Sequence, residues 1–410
     1  MEVILGVDWA EDHHDLCLMD PTGVVLATRR IPDGLEGVQM LHALVADSLD
    51  DASDPETVVV GIETDHGLLA ASLVAAGYQV YAVNPMSVAR YRDRHHSSRA
   101  KSDKSDAKLL ADLVRTDRHN HRRAAPDSEL LEAIKVLARG HQSLIWTRQR
   151  LTNQLRSALR EYFPGALAAF EDLHYRDALA VLGKAPTPTQ ARRLSTTQIK
   201  AVLKKGGRQR NVESRAEEIR AVLQRPQLGA AELVEDAYGA TTVAQARLIA
   251  DLNEQITLLE AKLEQRFSQH PDAELLLCLP GLSVILGARV LAEFGDAPNR
   301  YNDAKARRNY AGTAPITRAS GTSEVVLARL VRNKRLFDAC YQWAFCALTT
   351  SPGARAYYDA HDPGPKTGKT ARRKLANKLV GVLHGTLTHH SPYDETIAWQ
   401  HWQTTEPHAA

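Results

Sequence analysis

The stretch VILGVDWA, residues 3–10, is an apolar run that contains a single acidic residue, Asp8. An unbroken apolar run of this length is typical of a strand that is buried on both faces. A carboxylate inside such a strand must be paired or must bind a cation, because an isolated charge is costly to bury. The stretch therefore predicts a central strand whose acid has a partner.

Strand-like and helix-like segments alternate around this run over the first third of the chain. The strand candidates are residues 14–19, 24–31, 57–63 (TVVVGIE) and 79–84, and the helix candidates are residues 35–49, 68–76 and 103–116. The resulting order is βββαβαβ followed by a helix. It is the chain order of an α/β RNase H-like domain, in which crossover units extend a three-stranded meander.

Four carboxylates fall at the ends of these elements. Asp8 and Glu63 belong to neighbouring strands of the predicted sheet, so both can point at one site. Asp103 and Asp106 are three residues apart on the following helix and share one face. Four acids at one spot repel one another unless a divalent cation neutralises them, and an all-oxygen ligand set selects Mg²⁺ or Mn²⁺. Two such ions about 3.5–4 Å apart could clamp a scissile phosphate.

Each of these acids also has a plain structural interpretation. A lone Asp in a strand is often satisfied by its neighbours, and an Asp pair early in a helix is often a cap. Asp12 and Asp65 are interpreted as turn or surface residues. The adjacent His13 and His14 face opposite sides of a strand, so they do not indicate a metal-ligand pair.

Two stretches concentrate positive charge in a chain whose net charge is only +2. Residues 90–108 hold seven Lys and Arg against three Asp, and residues 366–378 (KTGKTARRKLANK) hold six with no acid. Such runs are usually solvated faces or flexible arms, but one of them flanks the proposed metal helix, which favours contact with nucleic acid. The residues predicted to contact nucleic acid are Arg90, Arg92, Arg94, Arg99, Lys101, Lys104, Lys108, Arg318, Lys366, Lys369, Arg372, Arg373 and Lys374.

The composition is that of an ordinary globular protein. The 410 residues suggest two or three domains, and 44% hydrophobic residues can build more than one core. The four cysteines form no C-x-x-C pair, so neither zinc nor a disulfide framework is indicated. Pro280 and Gly281 break the most apolar stretch, residues 275–294, so we expect a cytoplasmic protein without membrane contact.

The middle of the chain is predicted to be helical. Leucine and isoleucine recur at three- and four-residue steps over residues 129–163 and 242–267, which suits two long helices. These helices could pair in a coiled-coil manner or lie in an ordinary bundle inside one subunit. Residues 173–240 between them form a smaller helical module with a basic patch at residues 204–208.

The last third begins with a Leu279-Pro280-Gly281-Leu282 turn between two helices. A helix–Gly hairpin–helix unit can present backbone N–H groups to a phosphate, or it can be a plain turn in a core. The predicted domains are residues 1–125, residues 126–270 with an inserted module at about 171–240, and a mainly helical domain over residues 271–410.

The four acids, with the strings GVDWA, GIET and KSDKSDAKLLA, resemble the DEDD transposases of insertion sequences, the bridge-RNA-guided recombinases. Residues 309–315 (NYAGTAP) followed by residues 318–321 (RASG) resemble the second signature of that family, in which a serine precedes a glycine. The LPGL and EFGD strings are also similar, so the resemblance covers essentially the whole chain.

The resemblance implies a RuvC-like N-terminal domain that binds Mg²⁺ through Asp8, Glu63, Asp103 and Asp106. It also implies a C-terminal transposase domain in which Ser320 attacks DNA and forms a covalent phosphoserine. The implied partners are donor and target DNA and a structured bridge RNA that selects them by base pairing. The resemblance further implies a homodimer or tetramer whose active site is shared between subunits. It places the protein in the bacterial cytoplasm near the nucleoid.

The residues alone leave other interpretations open. Ser320 lies in a Thr- and Ser-rich loop, residues 317–323, where a turn is the commoner role and Ser323 is a competitor. A RuvC-like junction nuclease with water as nucleophile would explain the acids but not the C-terminal third, and a non-catalytic nucleic-acid scaffold would not need the acids. An actin-like ATPase would need Gly and Thr after Asp8, where this chain has Trp-Ala-Glu-Asp.

Overall fold

A computed structural model describes residues 2–49, 54–64, 67–95, 103–124, 127–298, 300–321, 323–330, 332–361, 364 and 368–403. The chain divides into two compact units, Met1–Asp127 and Ser128–Ala410. No helix within the described ranges is both long enough and apolar enough to span a membrane.

The first unit is built on a mixed sheet. Its strands are β1 (Val3–Trp9), β2 (His13–Met19), β3 (Val25–Pro32), β4 (Val58–Ile62), β5 (Gln79–Ala82) and β6 (Arg122–Arg123), and its helices are α1 (Leu35–Ala46), α2 (Leu68–Ala75), α3 (Pro85–His95) and α4 (Asp103–Asp117). The strands lie in the order β3-β2-β1-β4-β5-β6. β1 pairs antiparallel with β2 and parallel with β4. This mixed α/β arrangement is consistent with the RNase H-like domain that the element order predicts.

Helices cover both faces of the sheet, which explains why β1 and β4 are apolar on both sides. Val3 and Val58 belong to a core shared with α1 and α2, whereas Ile4 and Val59 belong to a core shared with α4. Under α4 the strands carry glycine. A Cβ built on Gly6 would lie 1.9 Å from a backbone carbonyl oxygen of α4, so this glycine sets how closely the helix packs.

The predicted elements of this unit match observed ones to within a few residues at each end, but α3 and β6 are not predicted. Pro85 follows the predicted strand over residues 79–84 and is compatible with its end, but proline is also favoured at the first position of a helix. The side chain of Asn84 caps α3 by accepting a hydrogen bond from the Met86 amide at 2.8 Å. Pro85 therefore follows the end of β5 and also begins α3.

The second unit is mainly helical. Its helices are α5 (Glu129–Tyr162), α6 (Pro164–Ala169), α7 (Arg176–Lys184), α8 (Pro188–Arg192), α9 (Thr196–Lys205), α10 (Val212–Leu223), α11 (Glu232–Phe267), α12 (Ala273–Leu277), α13 (Val284–Phe294), α14 (Ala304–Ala311), α15 (Lys334–Thr350), α16 (Pro352–Ala360), α17 (Gly368–His389) and α18 (Glu395–Gln403). A short hairpin of β7 (Ile316–Ser320) and β8 (Ser323–Leu327) follows α14.

The two long helices, α5 and α11, pack against each other in antiparallel directions within one chain. His141 contacts Glu260 at 3.1 Å near one end, and Tyr162 hydrogen-bonds Thr242 at 2.7 Å near the other. The predicted leucine pattern therefore serves an intrachain pair. α11 begins at Glu232, ten residues before the predicted start at residue 242. The leucine pattern does not extend over these first turns, because they are more polar than the pattern requires.

In the last third of the chain, the structure decides between the two interpretations of the turn at Gly281 and corrects the loop predicted over residues 317–323. Gly281 adopts φ +79°, and a Cβ there would lie 2.5 Å from the Ala347 amide nitrogen on α15. This turn therefore packs into the core, which favours the plain-turn alternative. The loop predicted over residues 317–323 is wrong, because most of it belongs to the β7–β8 hairpin, where β-branched residues such as Thr317 and Val325 favour strands.

Candidate active site

Asp8 and Glu63 stand side by side at the carboxyl ends of two parallel strands. Val7 of β1 pairs with Ile62 of β4, so the next residue on each chain segment is an acid. Because side chains alternate along a strand, both acids are placed on the face that α4 covers. β1 and β4 are neighbours, as the sequence predicts, and their ends bring the two carboxylates to one edge.

Two further carboxylates come from α4 and β2. Asp106 precedes Ala107, the residue of α4 that lies on Gly6 of β1. Asp15 pairs with Asp8 in the antiparallel register and therefore faces the same side. Only 4% of Asp106 and 3% of Asp15 is exposed. Asp15 is missing from the predicted site, although the turn after β1 was a signal that β2 folds back and places it opposite Asp8.

These four carboxylates line a single cavity of about 410 Å³, here called the acid pocket. Its other lining residues are Trp9, Ala10, His13, Pro85, Val88, Ala89 and Arg92. A water molecule occupies about 30 Å³ of liquid, so the cavity has room for a hydrated cation or for a phosphate group. The donor set is rich in carboxylate oxygen, which is the chemistry that Mg²⁺ and Mn²⁺ prefer.

Arginines compensate two of the carboxylates. Arg92 of α3 donates a hydrogen bond to Asp106 at 2.5 Å, and Arg30 of β3 donates to both oxygens of Asp15, at 2.6 and 3.2 Å. A guanidinium partner satisfies a buried carboxylate without a metal. Among the described residues, no three His, Cys, Asp or Glu side chains come close enough together to enclose a metal ion. The acid pocket therefore contains carboxylates suited to a divalent cation, and in this structure arginines balance the charge of two of them.

Part of the predicted site lies at the edge of the described structure. Asp103 and Lys104 open α4, but their side chains lie outside the described part, as do Arg99, Lys101 and Lys366. Of the other predicted cations of this unit, Arg90, Arg94 and Lys108 are exposed. Arg92 differs from them because Asp106 already engages its guanidinium.

Ser320 is the last residue of β7 and lies at the exposed tip of the hairpin. It pairs across the turn with Ser323, and Gly321 begins that turn with φ +58°. Arg318 is two residues earlier on the same strand, so it shares a face with Ser320 about 7 Å away. The hairpin therefore presents a hydroxyl and a guanidinium together to solvent.

The remaining predicted cations lie on α17. Lys369 and Lys374 are exposed, whereas Arg372 lies over the rings of Tyr341 and Phe345, at 4.9 and 4.8 Å from their centroids. Arg373 lies near Arg332. Lys378 belongs to the basic stretch at residues 366–378 but is not among the residues predicted to contact nucleic acid, and neither are Arg308, Arg329 and Arg332. No local pattern could have marked these residues as a group, because they come from three separate segments.

Comparisons with known proteins find matches to transposases in both the N-terminal and the C-terminal part of the chain. Residues 5–164 match a family model of the DEDD transposases of IS110, described as a transposase, and residues 273–359 match the transposase IS116/IS110/IS902 family. The chain is 44% identical over 403 residues to the mini-circle putative transposase for IS117 of Streptomyces coelicolor, with 97% of each chain covered. It is also 28% identical to the insertion element IS900 uncharacterized 42 kDa protein of Mycobacterium paratuberculosis, over 95% of this chain and 96% of that protein.

Proposed function

The chain belongs to the IS116/IS110/IS902 family of transposases, and from this premise we propose that it cuts and rejoins DNA through two sites, the acid pocket and Ser320. Family membership supports an enzyme that cleaves and recombines DNA in transposition. The observation that carries the acid-pocket part of the proposal is the convergence of Asp8, Glu63 and Asp106 from three different elements in one cavity. The part that concerns Ser320 rests on the family resemblance.

In the acid pocket, Asp8, Glu63, Asp103 and Asp106 would hold Mg²⁺ or Mn²⁺. When bound, such an ion polarises a phosphate and stabilises the charge that develops during its displacement. Arg92 would have to release Asp106 for this binding, and its guanidinium would then be available to a DNA phosphate. The exposed Arg90, Arg94 and Lys108, with Arg99, Lys101 and Lys104, would contact the DNA backbone around the pocket.

At the hairpin tip, the Ser320 hydroxyl oxygen would attack a DNA phosphorus. One phosphodiester P–O bond breaks as the new serine P–O bond forms, and the leaving sugar hydroxyl takes up a proton. The serine proton must pass to a base, for which we propose a carboxylate of the acid pocket in the same or a second copy of the chain. Attack by the hydroxyl of another strand reverses the step, so every bond broken is replaced without an added energy source.

Arg318 would hold the phosphate group beside Ser320, because it lies on the same face of the hairpin. Lys369, Arg372 and Lys374 of α17, with Lys366, would contact the same DNA. The family resemblance further suggests that a structured bridge RNA selects donor and target by base pairing, and that a homodimer or tetramer assembles the reaction.

A Ser320→Ala variant tests the covalent step, with Ser323→Ala as the matched control from the other side of the turn. Each protein is mixed with labelled DNA of the element end and Mg²⁺, and the products are resolved on a denaturing gel. We expect a protein–DNA adduct with wild type and with Ser323→Ala, and none with Ser320→Ala. Undiminished cleavage by Ser320→Ala would instead support the junction-nuclease alternative, with water as the nucleophile.

The guide hypothesis needs a separate experiment. The protein is purified from its native host and the RNA that accompanies it is sequenced. We expect one dominant structured RNA with loops complementary to the ends of the element and to its insertion site. An active preparation with no enriched RNA would overturn the guide hypothesis and leave the two DNA sites standing.

A further inference from the structure

Five cations of the second unit lie together without a compensating acid. They are Arg308 of α14, Arg329 and Arg332 of the segment after β8, and Arg373 and Lys378 of α17, here called the cationic row. None of the five forms an ion pair with a described Asp or Glu, whereas Arg289 and Arg355 of the same unit pair with Asp338 and Asp359. The unit therefore balances some of its arginines with acids, but not these five cations.

The row follows one face of α17. Arg373, Asn377 and Gly381 are spaced four residues apart, so they share a face over about 12 Å of helix. Arg332 packs beside Gly312, where an added Cβ would lie 2.4 Å from the Arg332 Cβ, and burial together with the nearby Arg373 lowers the pKa of Arg332. These two cations therefore lie near the first end of the face. Thr313 donates a hydrogen bond to Asn377 at 3.2 Å in the middle.

Arg308 occupies the other end of the face. A Cβ built on Gly381 would lie 1.8 Å from a terminal nitrogen of Arg308, so the glycine leaves the space that this guanidinium fills. Burial and Arg308 together lower the pKa of Lys378, as expected when two cations share a partly desolvated surface. Two like charges are therefore held together at each end of the face.

Several donors of the row have no partner. The Nε atoms of Arg308 and Arg329 are buried and have no hydrogen-bond acceptor among the described residues. Arg329 otherwise donates to the Asn309 side chain at 3.3 Å, and Arg332 donates to the Arg329 carbonyl oxygen. Both acceptors are neutral, so they satisfy single donors without balancing the charge. An anion from outside the chain would supply the balancing charge to the guanidinium groups.

The position of the row relates it to Ser320. β7 begins three residues after Thr313, and β8 ends two residues before Arg329. Both strands of the hairpin therefore start or end next to a residue that contacts the row or belongs to it. Ser320 lies four residues from the start of β7, about 13 Å along the strand. A row of about 12 Å can contact a short run of phosphates on one strand, about two or three.

We propose that the cationic row binds the phosphodiester backbone of the DNA strand on which Ser320 acts. The proposal rests on the proposed function for the identity of the reacting strand, but the row itself follows from the unbalanced cations. Guanidinium groups suit this ligand because they donate in pairs to phosphate oxygens. The row would hold the strand a few nucleotides from the phosphate that is attacked.

The test uses the full chain with Ser320→Ala, so that binding is measured without reaction. Arg373→Gln is introduced because no described contact depends on this side chain beyond its proximity to Arg332. Arg329→Gln is the second variant, and Arg355→Gln on α16, an exposed arginine with its own Asp partner, is the matched control. Fluorescence anisotropy with a labelled single-stranded DNA is followed over a salt series, and thermal unfolding is recorded without nucleic acid.

We expect Arg373→Gln to weaken DNA binding about tenfold and to lower the slope of log K against log [salt] by about 0.7, the value for one lost single-strand phosphate contact. Its melting temperature should be unchanged or higher, because a repelling charge is removed. Arg329→Gln should weaken binding similarly, and the control should change neither quantity.

Two results would overturn the assignment. An unchanged salt slope in both row variants would show that the row makes no phosphate contact. A lowered slope with an RNA of the same sequence, but not with DNA, would make the row an RNA site. Because all proteins carry Ser320→Ala, neither result depends on whether Ser320 is the nucleophile, which the adduct assay decides separately.

Discussion

In the acid pocket, the buried Asp106 and Asp15 each meet an arginine of the same unit, whereas the arginines of the cationic row meet no described carboxylate. Two of the four pocket carboxylates are balanced by these arginines, so a cation that binds Asp106 or Asp15 must replace a partner that is already present. The row is unbalanced, so an incoming anion has no partner to displace. We therefore expect a bound cation to change which side chains contact one another in the acid pocket. A bound anion should leave the contacts of the cationic row in place and mainly stabilise the second unit.

The glycines of the two regions give the sharpest test of this comparison. A Cβ on Gly6 would lie 1.9 Å from a backbone oxygen of α4, whereas a Cβ on Gly381 would lie 1.8 Å from the end of a flexible arginine. We expect Gly6→Ala to cost about 3 kcal/mol of the free energy of unfolding of the first unit, because a packed backbone must shift. Urea unfolding of the full chain, followed by circular dichroism, measures this loss.

Gly381→Ala serves as the contrast in that experiment. The Arg308 side chain can turn away, and alanine stabilises a helix interior by about 1 kcal/mol relative to glycine, so stability should hold or rise. Its DNA affinity should fall instead, since Arg308 leaves the face of α17. Equal losses of stability in the two variants would contradict the view that the pocket is fixed by backbone packing and the row by side chains.

The next effect concerns the internal partner of the pocket. Arg92→Gln leaves the buried Asp106 without its cation, and we expect a cost on the order of 3 kcal/mol when EDTA removes divalent metal. Added Mg²⁺ should restore part of the loss and should raise the melting temperature of this variant more than that of wild type. Arg94→Gln, an exposed neighbour on α3, is the control and should show no such difference.

A variant that is destabilised in EDTA and unaffected by Mg²⁺ would count against the metal site. It would indicate that the carboxylates of the pocket are structural partners of arginine alone. A Mg²⁺ effect equal in wild type and Arg92→Gln would contradict the competition between Arg92 and the cation, since both proteins would then bind the ion equally well.

The two regions also differ in how far the sequence could predict them. Asp8 lies inside an apolar run and Glu63 ends another, which are local signals, and the strand order that joins them follows from the alternation of strands and helices. Asp15 and the Arg92–Asp106 pair depend on the turn after β1 and on a helix begun by Pro85, where the local signal was ambiguous. The sequence could therefore predict most of the carboxylate set but not its arginine partners.

The cationic row could not be predicted from spacing. Arg308 and Arg373 are far apart in the sequence, and only the packing of α14 on α17 brings their surroundings together. The basic stretch at residues 366–378 did indicate nucleic acid, but it gave equal weight to exposed lysines and to the cations that line one face. Burial and pairing, which distinguish them, are properties of the folded chain.

The smallest expected effect tests whether the second unit compensates arginine where it has an acid. Burial acts to raise the pKa of Glu293, but hydrogen bonds from Arg139 and Asn333 outweigh it and hold the pKa below its ordinary value of 4.5. A lowered carboxyl pKa stabilises the fold above pH 4.5, and this contribution is lost as the pH falls through the folded-state value. We expect Glu293→Gln to cost about 1–2 kcal/mol at pH 7.

That difference should shrink below pH 4.5, as the wild-type carboxyl becomes protonated and resembles the neutral amide. Thermal unfolding of wild type and Glu293→Gln over pH 3–7 measures the gap directly, and subtraction removes the acid response of the rest of the chain. A gap that stays constant with pH would mean that Glu293 contributes shape rather than charge. The contrast between balanced arginines such as Arg139 and the unbalanced cationic row would then lose its electrostatic basis.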